Sequence, residues 1–128
     1  MRRRSLPAVV LFSVLVLAGC GADDTDLPEL SVDGEQGRQL AQDNSCRACH
    51  GSNGQGASGP AWIGLLDRER ELTDGSTVTA DRDYLLEAIL EPNSQVVEGF
   101  TIRMPENALT PEEAGLIVTY IEELADAG

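Results

Sequence analysis

The feature that most constrains this 128-residue sequence is a group of two cysteines and a histidine. Cys46, Cys49 and His50 form the pattern C-x-x-C-H, which is typical of covalent c-type haem attachment. Two thiols three residues apart can each bond one former vinyl group of a single porphyrin. The adjacent imidazole then lies under the iron as its proximal ligand. The pattern therefore predicts a fold built around one covalent haem c.

The cysteine pair has three other interpretations: a redox-active dithiol, half of a zinc site, or a structural disulfide. A structural zinc site takes four Cys or His ligands. Beyond residue 20 the chain offers only Cys46, Cys49 and His50. A thioredoxin-like dithiol lies in a βαβ context, whereas this pair lies between a predicted helix and a glycine-rich loop. The pattern favours haem over zinc and over the dithiol.

Met104 is the candidate for the second axial ligand. A methionine thioether in this position raises the potential of an electron carrier. Apart from Met1, Met104 is the only methionine; His50 is the only histidine, and the chain has no lysine. Pro105 follows Met104 and would stiffen a ligand loop. A lone methionine can also be a flexible core filler, but the residue count favours His50 and Met104 as the two iron ligands.

The N-terminal residues predict export and a lipid anchor. Three consecutive arginines precede an apolar run over residues 6–18, which has signal-peptide length and is too short for a typical membrane span. The run leads to Leu-Ala-Gly before Cys20, which resembles the lipobox of bacterial lipoproteins. We predict a signal peptide over 1–19, acylation of Cys20, and an acidic flexible tether over 20–32. An uncleaved signal anchor is the alternative.

Charge and size add two constraints. The signal segment contains three of the nine basic residues, so its removal leaves six arginines against 22 acidic residues. Long-range fields would then steer the chain toward a basic surface on a protein partner. We expect redox proteins as partners, no nucleic acid, and a monomer. Only 4 % of residues are aromatic, and a bulky cofactor would help to complete so small a core.

The remaining sequence predicts one all-α domain over residues 33–128, with three to five helices. Asp33 is the candidate N-cap of a first helix that runs straight into Cys46. A second helix is expected near 79–90, capped by Thr79 or Asp81 and stopped before Pro92.

The last helix carries the clearest signals. Thr110 is a candidate N-cap, Pro111 fits the first turn, and Glu113 completes a capping box. One apolar face follows at helical spacing: Leu116, Ile117, Tyr120, Ile121 and Leu124. No strand alternation of useful length lies between the helices.

Residues 34–125 resemble a class I cytochrome c. Several segments are similar, more narrowly, to the cytochrome c domain fused to subunit II of some haem-copper oxidases: 59–65, 72–76, 84–93, 96–100 and 104–105. That subunit also has transmembrane helices and a dinuclear copper domain, whose further ligands this chain lacks. The resemblance therefore implies a free-standing relative.

The resemblance also implies roles for individual residues. Pro60 matches the proline whose carbonyl accepts the Nδ1 proton of the proximal histidine, and Gly37 and Tyr120 match the crossing of the first and last helices. The residues expected to line the haem pocket are Trp62, Phe100 and Ile102. Trp62 would either reach a haem propionate or simply pack in the core.

The function expected from these features is one-electron transfer without substrate chemistry. We expect an extracytoplasmic, membrane-anchored carrier of a respiratory chain, which receives electrons from a quinol-oxidising cytochrome complex and passes them to a terminal oxidase. Two alternatives are an electron-entry subunit of a periplasmic redox enzyme and a haem-based ligand sensor.

Overall fold

The computed structural model describes residues 27–125, which form four helices and one short hairpin. The elements are α1 Val32–Asp43, α2 Arg47–His50, β1 Glu69–Glu71, β2 Thr77–Thr79, α3 Arg82–Leu90 and α4 Pro111–Ala125. The predicted all-α fold with three to five helices is confirmed. The antiparallel β1–β2 hairpin has strands too short to give a readable alternation in the sequence. Among the described residues, no helix has both the length and the apolar character to cross a bilayer.

Helix α1 begins before the predicted position. Its N-cap is Ser31, whose Oγ accepts the N–H of Gly34 at 3.0 Å. The prediction of Asp33 as the cap is wrong. Ser31 is selected by a distant partner, because Glu123 of α4 accepts both its N–H, at 3.0 Å, and its hydroxyl proton. Asp33 lies in the first turn instead, where its carboxylate faces the positive end of the helix dipole.

The end of the predicted tether belongs to the folded unit. Leu27 and Leu30 are partly buried against the core, and Val32 is already helical. The tether therefore does not extend to residue 32, because its leucines have apolar neighbours to pack on. The signal peptide, Cys20 and the tether up to residue 26 lie outside the described residues.

Helix α1 does not run straight into Cys46, so that prediction is also wrong. The helix ends at Asp43, and the Asn44 side chain donates to the Leu40 carbonyl at 2.9 Å. Ser45 then takes a left-handed conformation, with φ of 60°, which interrupts the helical path. The turn places the two cysteines at the start of a separate helical turn, α2.

Helices α3 and α4 begin at local signals in the sequence. The Asp81 carboxylate accepts the Tyr84 N–H at 2.9 Å, so Asp81 is the cap of α3. Thr79, the other predicted candidate, lies in β2. At α4, Thr110 Oγ1 accepts the Glu113 N–H at 3.3 Å and Glu113 accepts the Thr110 N–H at 2.9 Å. This reciprocal pair is the predicted capping box.

Helices α1 and α4 cross at Gly37. A Cβ at this position would overlap the Leu116 carbonyl group and lie 3.0 Å from the Cβ of Tyr120. Only glycine therefore allows the two backbones to approach this closely. The crossing expected from the resemblance is thus present, and it brings Tyr120 into the centre of the core. The largest fully buried side chains among the described residues are Tyr120, Ile117, Leu124 and Val118.

We predict that Gly37→Ala lowers the free energy of unfolding by about 3 kcal/mol, the upper end of ordinary overpacking costs. The added methyl group meets backbone atoms, which cannot move away by changing rotamer. Urea unfolding of the haem-loaded protein measures the effect. Gly115→Ala is the matched control, because a Cβ on that α4 residue meets nothing within 4 Å. The control should be neutral or more stable, since alanine favours helix. Equal stability of both variants would contradict the tight crossing.

Candidate functional site

Cys46 and Cys49 lie on either side of the first residues of α2. Both thiols are free, both are partly buried, and both line one large cleft. Burial raises the pKa of the Cys46 thiol, which keeps it protonated at neutral pH. The turn at Ser45 directs the chain so that the pair and His50 share this cleft. The structure thus brings together the three residues of the C-x-x-C-H pattern.

His50 is held by the loop that follows it. Its Nδ1 lies 2.7 Å from the Pro60 carbonyl oxygen. A carbonyl can only accept, so Nδ1 carries the proton and Nε2 is left with a free lone pair. Burial lowers the pKa of His50, with the Pro60 bond opposing this effect. The imidazole is therefore neutral at pH 7, which is the form that binds a metal.

Gly59 allows the loop to lie this close to the imidazole. Its N–H donates to the Cys49 carbonyl at 2.8 Å. A Cβ on Gly59 would lie 3.2 Å from His50 Cε1 and 3.3 Å from the same Cys49 carbonyl oxygen, a tight fit for any side chain. The position of the Pro60 carbonyl thus depends on a contact between two backbone segments.

The cleft has a volume of about 250 Å³ and is lined mainly by apolar side chains. Met104 lies in its wall with His50 and the cysteines, so all the predicted attachment and ligand residues meet in one place. Phe100 and Ile102 also line it, on the loop that carries Met104. Ile102 is 59 % exposed and therefore lies at the mouth of the cleft.

Trp62 occupies the inner side of the cleft. It is 5 % exposed, and its ring stacks on the His50 imidazole with centroids 4.7 Å apart and planes 18° from parallel. Its other neighbour is Tyr120, which meets it edge-on at 5.9 Å. Of the two expected environments, the structure gives core packing directly. A propionate contact of Trp62 stays a prediction.

Among the lining residues that were not predicted from the sequence are Arg70, Tyr84 and Asn107. Arg70 is the partly buried residue of β1, between two exposed glutamates. Burial raises the pKa of the Tyr84 phenol, and the Arg70 charge opposes this rise. A Glu-Arg-Glu alternation is a period-two signal, but three residues are too few to read it.

Asn107 fastens the loop that carries Met104. Its side-chain amide donates to the Ile89 carbonyl at the end of α3, at 2.7 Å, and its Oδ1 accepts the Leu109 N–H at 3.1 Å. The loop is therefore tied to α3 just after Pro105. No local pattern announces this role, because the Ile89 partner is 18 residues away.

These residues fit a covalently attached haem. The cleft supplies two free thiols, a neutral imidazole with an unprotonated Nε2, a thioether and an apolar wall. Covalent attachment of haem c uses the two thiols and the imidazole, and a thioether is a suitable second ligand for the iron of an electron carrier. Zinc fits less well, because residues 27–125 contain no cluster of three or more Cys, His, Asp or Glu side chains arranged to hold a metal ion.

A comparison with models of protein families gives a match. The family model described as Cytochrome c matches residues 34–125, a range that contains the whole cleft. The curated proteins include no significant match.

Proposed function

Because the chain belongs to the cytochrome c family, it is an electron-transfer protein with covalently bound haem c, and we propose that it serves as a one-electron carrier of a respiratory chain. The observation that carries this proposal is the presence of His50 and Met104 in the wall of one cleft. Iron held by both residues has no open position for a substrate. Bound haem supplies reversible one-electron chemistry; the protein holds it, keeps water away, and sets its potential.

A ligand-binding experiment tests the carrier against the sensor. We expect the reduced protein to bind carbon monoxide slowly or not at all at neutral pH, and a potentiometric titration to follow a one-electron curve. Both results are expected because the thioether and the imidazole would both be bound to the iron. Rapid, stoichiometric binding of carbon monoxide to the reduced wild type would favour the haem-based sensor instead.

The charge distribution supports a protein partner with a basic surface. The chain has 22 acidic residues, but Glu106 is the single carboxylate that lines the cleft among the described residues. Arg70 and Arg103 line the same cleft. Negative charge outside the cleft would steer the protein toward its basic partner. The less charged mouth of the cleft, where Ile102 lies, would then contact that partner. A quinol-oxidising cytochrome complex as donor and a terminal oxidase as acceptor are our proposed partners.

We also propose that a lipid anchor on Cys20 keeps the domain at the outer side of a bacterial membrane. Because Leu27 packs on the core, the seven residue-to-residue steps from Cys20 to Leu27 would allow at most about 25 Å, even if this segment were fully extended. The domain would therefore remain close to the bilayer, near membrane-bound redox partners.

We predict that the full chain, expressed in a bacterium, partitions into the detergent phase, and that Cys20→Ala is neither acylated nor processed as a lipoprotein. Stable anchoring takes more than one acyl chain, so mass spectrometry should find more than one on Cys20. Ser5→Ala, which changes the signal segment but keeps the cysteine, is the control. A wild type of unmodified mass in the aqueous phase would refute the anchor.

A further inference from the structure

We propose that Trp62 is the positioning residue of His50. The Trp62 ring stacks on the imidazole, and through this contact the packing at the α1–α4 crossing fixes the orientation of the His50 ring. The proposal rests on the proposed function, with His50 as an iron ligand. It adds a residue that has no iron-binding atom of its own and acts through the face of the imidazole that it covers.

Two contacts from one loop hold the imidazole in two different ways. The Pro60 carbonyl, 2.7 Å from Nδ1, lies at the edge of the ring and fixes its tautomer. The Trp62 ring, 4.7 Å away and 18° from parallel, covers its face. A hydrogen bond at the edge still allows the ring to rock about that bond. A large flat surface on its face prevents this rocking.

Hydrogen bonds also fix the backbone of Trp62. Its N–H donates to the Gly54 carbonyl at 2.7 Å, and the Ile63 N–H donates to the same oxygen at 3.1 Å. Gly54 also lies close to the indole, because a Cβ there would lie 3.2 Å from Trp62 Cβ and 3.3 Å from Cε3. The indole therefore has little freedom to slide along the imidazole.

Tyr120 connects the stacked rings of Trp62 and His50 to helices α1 and α4. Tyr120 meets the indole edge-on, with centroids 5.9 Å apart and planes at 81°, which is a favourable aromatic geometry. Tyr120 is fully buried in α4, and its Cβ lies beside Gly37 of α1. The order of contacts is thus Gly37, Tyr120, Trp62, His50. A small shift at the crossing would be passed to the iron ligand by packed rings.

The test compares Trp62→Leu, Trp62→Phe and Val118→Ala in the haem-loaded protein. We expect Trp62→Leu to change the orientation-sensitive signals of the oxidised haem, namely the paramagnetic shifts of its methyl groups. It should also admit water beside the imidazole and favour the more charged oxidised form by about tenfold, a fall of about 59 mV for one electron. Trp62→Phe keeps an aromatic face and should restore both readouts most of the way.

Val118→Ala is the matched control for simple loss of packing. Val118 is fully buried in α4 but does not line the cleft, so its truncation should lower stability and leave both haem readouts unchanged. Equal shifts in Val118→Ala and Trp62→Leu would overturn the proposal, because they would reflect general loosening. Unchanged methyl shifts and potential in Trp62→Leu would overturn it as well.

Two further Tyr120 variants test the link to the helix crossing, and they carry the test if Trp62→Leu does not fold. Tyr120→Phe removes only a hydroxyl that lacks a hydrogen-bond partner in the described structure, so it should leave both readouts unchanged. Tyr120→Leu removes the ring edge that packs against Trp62. It should shift the methyl signals in the same direction as Trp62→Leu, and this effect would be transmitted through Trp62. No shift in Tyr120→Leu would overturn the link. A wild type without histidine-ligated iron would instead contradict the proposed function.

Discussion

Replacing both Cys46 and Cys49 by alanine should abolish covalent haem and leave almost no folded protein after expression with the haem-attachment machinery. The two thiols line the cleft beside His50, and they are the attachment points that the family membership implies. Without the haem, an apolar cleft of about 250 Å³ would stay open in a domain that buries little surface to begin with. Empty apolar volume of this kind is strongly destabilising.

The measurement is haem staining of a denaturing gel together with acid-acetone extraction. Wild-type haem should remain with the protein, and the double variant should show no stained band. The single variants Cys46→Ala and Cys49→Ala keep one attachment point each, so we expect reduced yield and an altered absorption band rather than complete loss. Cys20→Ala is the control, because Cys20 lies outside the motif and its loss should leave the haem attached. Release of wild-type haem into the solvent would contradict covalent attachment.

The parts of the fold that the sequence predicts are those specified by neighbouring residues. Asp81 caps α3 through an N–H three residues ahead, and Thr110 and Glu113 cap α4 in the same local way. The C-x-x-C-H pattern is local as well. These features depend on backbone atoms within one helical turn, so residue type and spacing are enough to identify them.

The features that the sequence does not predict depend on distant partners. Ser31 and Asp33 are both chemically suitable caps, and the choice falls to Ser31 because Glu123, 92 residues away, accepts two of its protons. The turn at Ser45 requires a left-handed serine, which no residue type signals. The stack of Trp62 on His50 and the entry of Arg70 into the cleft likewise arise from tertiary packing.

The family match covers cytochrome c in general, whereas the narrower resemblance is to one group of cytochrome c domains. The match over residues 34–125 is to cytochrome c as a whole, and the cleft geometry agrees with it. The likeness to the domain fused to an oxidase subunit stays a prediction, as do the lipid anchor and the two respiratory partners. A partner experiment with the purified, membrane-bound protein addresses them together.

Met104→Leu should remove the proposed second iron ligand while keeping the fold. Leucine has nearly the volume of methionine, so it preserves packing in the cleft wall and removes only the thioether sulfur. We expect loss of the sulfur-to-iron charge-transfer band and rapid binding of carbon monoxide to the reduced protein. The reduction potential should also fall by an appreciable part of the roughly 0.8 V that axial ligands span.

The neighbouring variant Ile102→Ala is the control for Met104→Leu. Ile102 lies on the same loop and lines the same cleft, but it is 59 % exposed and has no atom that binds iron. Its band and its potential should stay close to those of the wild type. If Met104→Leu kept the band and the potential, Met104 would not be the ligand, and the carrier proposal would lose the observation on which it rests.

The absence of lysine from the chain gives the wild type an unusual expected response to high pH. A lysine amine is the ordinary replacement for methionine in alkaline cytochromes c, but this sequence has no lysine, and its one histidine would already be bound to the iron. Arginine stays protonated, and an acylated Cys20 would have no free amine. Tyr84 lines the cleft, but burial raises its pKa, so its phenolate forms only above the ordinary range.

The oxidised protein should therefore keep its charge-transfer band into mildly alkaline solution and then change to a hydroxide-bound or high-spin form. A pH titration followed by that band and by electron paramagnetic resonance measures this, and a low-spin histidine–amine spectrum at mildly alkaline pH would contradict it.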